Sequence, residues 1–229
     1  MIDSNIGKVE EAQTINKLFD LLDDWRHLPA YQLERRADIF FALYLGKIIK
    51  QKKDTEIDYI IPEFPVRVGE ISEKNPHINQ SFKIDYLAYA NDAKRVYLIE
   101  LKTDQRSRRD KQDWYLERTA QIGVSGILKG LQKIYKATHQ KVKYNALLDK
   151  IQDMGWISRN DKSFEINNID ITPEILYIQP LNLTNDDAVI SFDEVISALN
   201  ELDDALAKRF AVSLEKWKGD VNKNRPNGL

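Results

Sequence analysis

Cysteine is absent from this 229-residue chain. Its absence excludes disulfide frameworks, zinc–thiolate sites and cysteine nucleophiles. Histidine is scarce, and His27, His77 and His139 lie far apart. A histidine-rich metal centre is therefore not expected, and any metal bound here would be a hard cation on oxygen ligands. No apolar run approaches the length needed to span a membrane. Residues 1–7 carry neither a basic n-region nor an apolar h-region, so no signal peptide is read. These absences lead to the expectation of a soluble, cytoplasmic protein with no membrane partner. A large excess of one charge is also missing, the formal net charge being −2. That argues against a histone-like coat held by electrostatics alone. It leaves room for an enzyme with a local basic track, and residues 102–111, with Arg106, Arg108 and Arg109, form such a track.

What is present is an ordinary globular composition, 42% hydrophobic and 31% charged, enough to bury a proper core. The length suits one domain, read here as residues 1–221 with a disordered tail at 222–229. Residues 8–25 place Ala12, Ile15, Leu18, Phe19 and Leu22 at helical spacing. A second helix follows from about Tyr31 to Lys50, with Ala37, Phe41, Tyr44 and Ile48 on its apolar stripe. The two make a helical N-terminus over 8–50. Glu34 lies one turn before Ala37 on that stripe, and so faces the interior or a cleft. The core sheet and helix occupy 56–139. Pro62 and Pro65 mark an irregular or edge strand. Residues 70–80 read as a loop, 81–103 as a hairpin, and 111–137 as a long helix with Trp114, Ile122, Ile127, Leu128, Leu131 and Ile134 in the core. An insert spans 141–170, a helix stopped by Gly155 and a small hairpin at 156–167. Its order has a slight winged-helix look, but without a clear recognition helix a packing insert is the simpler reading. The last core strand is 175–180, ended by Pro180. Ser191 and Glu194 have capping-box spacing and open a C-terminal helix over 191–218. This order predicts an α/β (α+β) fold, a mixed sheet flanked by helices.

The chemistry concentrates in the hairpin. Residues 82–89 form a β-type run carrying one acid, Asp85, and residues 95–102 a second run ending Glu100-Leu101-Lys102. Charges buried in apolar strands are costly unless something pairs with them. Side chains alternate along a strand. Lys83, Asp85, Leu87 and Tyr89 therefore share one face, as do Val96, Leu98, Glu100 and Lys102. With Asn91-Asp92 as a two-residue turn, Ala90 pairs with Ala93 and Asp85 with Leu98. Glu100 is then the diagonal neighbour of Asp85, about 7–8 Å away on the same face. Two carboxylates so placed can share one cation. A three-residue turn would put them on opposite faces, so the expectation is sharp on register. An ammonium at Lys102 can hold or help deprotonate a water, or offset charge developing on a phosphate. Mg²⁺ (or Mn²⁺) held by few carboxylates and several waters is the usual phosphate-handling arrangement.

Asp85, a hairpin, then Glu100-Leu101-Lys102 resembles the signature of the PD-(D/E)xK nuclease superfamily. That family's core runs helix, three-stranded meander, helix, strand, and residues 31–139 with 175–180 follow that order. The resemblance implies a restriction-endonuclease-like core. It implies that Asp85 and Glu100 bind the metal and that Lys102 positions or activates the attacking water. It further implies that Glu34, on the first core helix, completes the site and that the Leu101 carbonyl is an additional ligand. Ile84 stands where the family name has proline, which affects no ligand. Some exonuclease-like branches carry Gln-x-x-x-Tyr on the next helix. Here Gln112-Asp113-Trp114-Tyr115 and Gln132-Lys133-Ile134-Tyr135 are each one residue short. The subfamily stays open for that reason.

Each of these residues also has a plain structural reading. Glu100 with Lys102, and Asp85, fit a solvent-facing strand end with a surface ion pair worth little. Glu34 in a first helical turn is favoured by the helix dipole alone. Glu63, on the preceding strand, is a rival acid. Arg106, Arg108 and Arg109 are either a solvated loop or phosphate contacts, and Gln121 on the long helix is either a surface amide or a contact to site or substrate. The expected function is metal-dependent hydrolysis of phosphodiester bonds in nucleic acid, DNA before RNA. A cut of both strands would need two sites, which a homodimer would supply. The rival functions are a non-cleaving nucleic-acid- or partner-binding module of the same fold, and a regulatory domain whose charged strand is structural.

Overall fold

The computed structural model describes residues 3–72, 76–105, 108–160 and 163–223. Among them the fold is mixed α/β, with seven helices and a five-stranded sheet containing antiparallel and parallel pairs. The described chain divides into two compact units.

One unit comprises Thr55–Glu100 and Arg109–Leu176. It is built on an antiparallel meander of β1 (Tyr59–Arg67), β2 (Ser81–Ala90) and β3 (Arg95–Leu101). β1 lies at the sheet edge. Its prolines fit there, because an edge strand can spare N–H groups. Both faces of the later halves of β2 and β3 are buried, which is why these strands read as apolar runs rather than alternating ones. A short helix, α3 (Val68–Ile71), opens the segment read as a loop; Glu73–Asn75 within that loop lie outside the described residues.

The turn between β2 and β3 corrects the expected one. It takes four residues, Asn91 to Lys94, closed by Lys94 N–H donating to the Asn91 carbonyl at 3.3 Å. Lys94 has φ 51°, the left-handed residue with which a type I turn can rejoin a strand. Asp58 Oδ2 accepts from Asn91 N–H at 2.7 Å and fixes the turn. The pairs are Ala90 with Arg95, Leu87 with Leu98 and Tyr86 with Ile99. The register is thus shifted by two from the expected one, and an even shift keeps every side chain on its predicted face.

Helix α4 (Asp110–Ala137) is broken at Gly123, where φ 66° and ψ 174° are not helical. Beyond the break, Val124 N–H donates to the Ile171 carbonyl at 3.0 Å, so the second half has its own start. Trp114, expected in the core, is 42% exposed. The insert follows as α5 (Lys141–Asp153), stopped at Gly155 with φ 74°, then the hairpin of β4 (Ile157–Arg159) and β5 (Phe164–Ile166). Trp156 is buried, with its ring 4.9 Å from Tyr89, as a packing insert requires.

The other unit comprises Met1–Asp54, Leu101–Arg108 and Tyr177–Leu229. Its helices α1 (Asp3–Trp25) and α2 (Leu33–Lys53) match the helical N-terminus, with α1 starting earlier and α2 running three residues further than expected. The strand β6 (Glu174–Gln179) pairs in parallel with β7 (Val189–Ser191), a strand not anticipated. The C-terminal helix is two helices, α6 (Phe192–Asn200) and α7 (Ala205–Lys223). Asp204 separates them, because its Oδ1 accepts from Leu206 N–H at 2.8 Å and so caps α7. α7 extends two residues into the segment read as a tail; residues 224–229 lie outside the described residues. The core is aromatic: Phe210 meets Phe41 at 5.0 Å, Phe19 at 5.7 Å and Trp217 at 6.0 Å. Burying side chains of this size contributes roughly 1.5–3 kcal/mol each.

Candidate functional site

The hairpin register decides which acids meet. The paired ladder ends at Tyr86↔Ile99, and Asp85 and Glu100 are the next residue along each strand, on one face by alternation. In this register Asp85 and Glu100 stand level with one another, where the expected register made them diagonal neighbours. Asp85 is half-buried, and Glu100 is 1% exposed. The amide of Gln112, in the first turn of α4, donates to Glu100 Oε1. Gln112 belongs to one of the two Gln-x-x-Tyr runs, so its sequence signal was visible, but its partner was not.

The meander adds a third acid to this row. Pro62 pairs with Tyr86 and Phe64 with Ile84, so Glu63 lies opposite Asp85. Glu63 has φ 51°, a left-handed conformation uncommon for a residue with a Cβ, and it is exposed. Among the described residues, no group of three or more Asp, Glu or His side chains is disposed to hold a metal ion. The acids that register sets together with one buried member are therefore a pair, Asp85 and Glu100. That donor set is all-oxygen, and it fits Mg²⁺, which uses one or two carboxylates and fills its other positions with water and substrate phosphate.

In the other unit, Lys102 Nζ lies 3.7 Å from Glu34 Oε1, with the lysine side chain 6% and the glutamate side chain 34% exposed. Glu34 sits in the first turn of α2. Lys102 N–H donates to the Ile178 carbonyl at 2.8 Å, which holds the backbone extended just past β3. An ammonium this buried requires an anionic partner, and Glu34 supplies one. Leu101, the last residue of β3, is 1% exposed.

The expected nucleic-acid contacts are more dispersed. Arg108 lies over the Tyr177 ring, 3.9 Å from its centroid. Arg109 is exposed at the head of α4. Gln121 is exposed and accepts from Arg118 Nη1 at 2.9 Å. Arg106 lies outside the described residues. The structure thus puts Asp85 and Glu100 on one face of the hairpin and Glu34 beside Lys102, and what the sequence did not reveal is the bond from Gln112 to Glu100. No family model, no curated protein and no solved structure matches this chain. Among the described residues, no helix is long and apolar enough to cross a membrane.

Proposed function

We propose that this protein is a divalent-metal-dependent nuclease of the PD-(D/E)xK type, hydrolysing phosphodiester bonds in DNA. The observation that carries this reading is the hairpin register, in which Asp85 and Glu100 follow the last strand pair on a shared face, with Glu100 almost fully buried. Two carboxylates on a shared face, one of them buried, are a donor set suited to a hard cation. When bound, Mg²⁺ or Mn²⁺ would polarise the phosphate and lower the pKa of a water. Asp85, Glu100 and the Leu101 carbonyl would hold it. Lys102, two residues beyond Glu100 in the chain, would hold the attacking water, and Glu34 would orient the Lys102 ammonium. Gln112 would fix the Glu100 carboxylate. Arg106, Arg108, Arg109 and Gln121 would contact the sugar–phosphate backbone, which positions a strand without reading its sequence. The same reading places the enzyme in the cytoplasm with a restriction-endonuclease-like core, and a homodimer would serve to cut both strands.

The test is cleavage of supercoiled plasmid, linear duplex and single-stranded DNA in Mg²⁺ or Mn²⁺, against EDTA and Lys102→Ala. Metal-dependent cutting is expected, reduced at least ~100-fold by Lys102→Ala, the scale of one lost proton-handling group. A folded protein that cuts none of these substrates would overturn the nuclease in favour of a non-cleaving binding module.

A further inference from the structure

The first two helices leave one side bare. α1 and α2 pack through Phe19 and Phe40, whose rings lie 4.7 Å apart. Trp25 at the end of α1 meets Tyr31, just before α2, at 6.2 Å, so the chain turns back and the helices run antiparallel. α7 covers one side of the pair. Its Arg209 bonds Asp20 and Asp23 of α1, and its Phe210 meets Phe41 of α2. A step of two residues turns a helix by about 200°, to its opposite side. Leu21 and Trp25 are each two residues from Asp23, and Leu18 is two from Asp20. Ile39 and Leu43 are each two from Phe41. All five therefore point away from α7, and all five are exposed, Ile39 and Leu43 by 65% and 61%. One exposed leucine needs no explanation, but five large apolar side chains on one side of two packed helices form a patch.

The charges beside the patch differ in sign between the two helices. On α1, Glu10, Lys17 and Asp24 follow its edge a heptad apart, and Glu11 lies two turns before Leu18; all four are exposed. On α2, Arg35 and Arg36 are exposed one turn before Ile39, while Asp38 accepts from the Ile39 N–H at 2.7 Å. Asp20 and Asp23 are paired on the α7 side. Among the described residues, no ion pair within the chain engages Asp24, Arg35 or Arg36. We propose that this patch is the contact surface of a homodimer in which α1 of each copy lies on α2 of the other. The proposal goes beyond the nuclease reading and does not depend on it. A half-turn about an axis along the helices leaves heights unchanged and lays the acid-edged helix of each copy on the base-edged helix of the other. The same contact is then made twice, as an isologous interface requires. The Phe19–Phe40 and Trp25–Tyr31 contacts set Asp24 near the height of Arg35, so Asp24 of one copy comes to Arg35 and Arg36 of the second. A half-turn about the perpendicular axis would instead lay α2 on α2 and bring bases to bases, which is costly. The patch carries both signs side by side and is its own complement, with apolar side chains at the centre and charges at the rim.

The experiment is sedimentation velocity of the full chain over a range of concentrations. The wild-type protein is expected to reach the mass of two chains by about 100 μM, where a micromolar interface is nearly saturated. Asp24→Lys alone, and Arg35→Glu with Arg36→Glu, should each set like charges together at both symmetric contacts and weaken the dimer at least about tenfold. An equal mixture of these two variants should dimerise as the wild type does, because each α1 again meets an α2 of opposite sign. Leu43→Arg should weaken the dimer by at least about tenfold. Val212→Arg, on the outer side of α7, should leave it unchanged. Circular dichroism checks that the variants are folded. A wild-type chain that stays monomeric overturns the proposal. A dimer that Leu43→Arg leaves intact places the contact on another surface and overturns it too. Folded charge variants that stay monomeric when mixed overturn the pairing of α1 with α2. None of these results bears on whether the chain cuts DNA, which the cleavage assay decides separately.

Discussion

Asp23 is a carboxylate of the helical unit held by several donors at once. It accepts from Lys216 Nζ at 2.7 Å, Trp217 Nε1 at 2.9 Å and Arg209 Nη2 at 3.2 Å. Burial opposes its charge, but the bonds from Lys216, Ser213, Trp217 and Arg209 outweigh burial and hold its pKa below the usual value. Asp23→Ala would strip these donors of their acceptor, and is expected to cost about 1–3 kcal/mol in urea unfolding at neutral pH. The sign of the pH dependence follows from the lowered pKa. The contribution is fully present above the unfolded-state value of about 3.9 and is lost as pH falls through the lower folded value. The gap between wild type and Asp23→Ala should therefore close on acidification below about pH 4. A gap that stays constant to lower pH would show that the charge is not what matters. Nothing local marks Asp23 in the sequence. Asp23-Asp24 reads as the wet end of an amphipathic helix, and its partners lie more than 180 residues away. Gln112 is similar: its residue type was visible, but only the fold turns its amide to Glu100.

At the scale of elements, Gly123 and Ser191 make contrasting cases. Gly123 combines φ 66° with ψ 174°, a region essentially closed to residues with a Cβ. A Cβ there would also meet the Ile171 carbonyl at 3.3 Å. Gly123→Ala is expected to lower stability by about 1–3 kcal/mol, read as a fall in melting temperature; an unchanged melt would mean that α4 straightens at no cost. Ser191 closes a full capping box with Glu194. Ser191→Ala should cost about 1 kcal/mol, by the same measurement. The box was legible because it is local, two side chains three residues apart. The break at Gly123 was not, since a lone glycine in a helical pattern is usually tolerated, and Gly126 and Gly130 in the same helix are. The division between α6 and α7 was hidden because Leu199, Leu202 and Leu206 keep helical spacing across it. β7 has only three residues and needs its partner β6 to be a strand at all. The shared face of Asp85 and Glu100 was legible from alternation alone. That they stand level rather than diagonal was not, because it depends on a turn two residues longer than the tightest one.

For the whole molecule, metal and fold should be coupled. A cation that binds the native state alone stabilises it by about 2.7 kcal/mol at one hundred times its Kd. Mg²⁺ is thus expected to raise the melting temperature of the parent relative to EDTA, and to leave an Asp85→Asn, Glu100→Gln double variant unmoved. A shift retained in the double variant would place the ion elsewhere. The chain passes between its two compact units at four points, after Asp54, Glu100, Arg108 and Leu176. One unit thereby gathers segments from both termini. The meander, by contrast, joins strands that follow one another along the chain. Translation runs in one direction, so the two units face different histories on the ribosome. β1, β2 and β3 can pair while synthesis continues. Phe19 of α1 waits for Phe210, and Asp23 for Trp217, until almost the last codons have been read. α2 supplies Phe40 against Phe19 early, but for most of its synthesis the nascent chain presents the part of α1 that α7 will cover, the kind of surface on which chaperones act. A nonsense mutation anywhere before Ala205 would leave the α7-facing side of α1 bare for good.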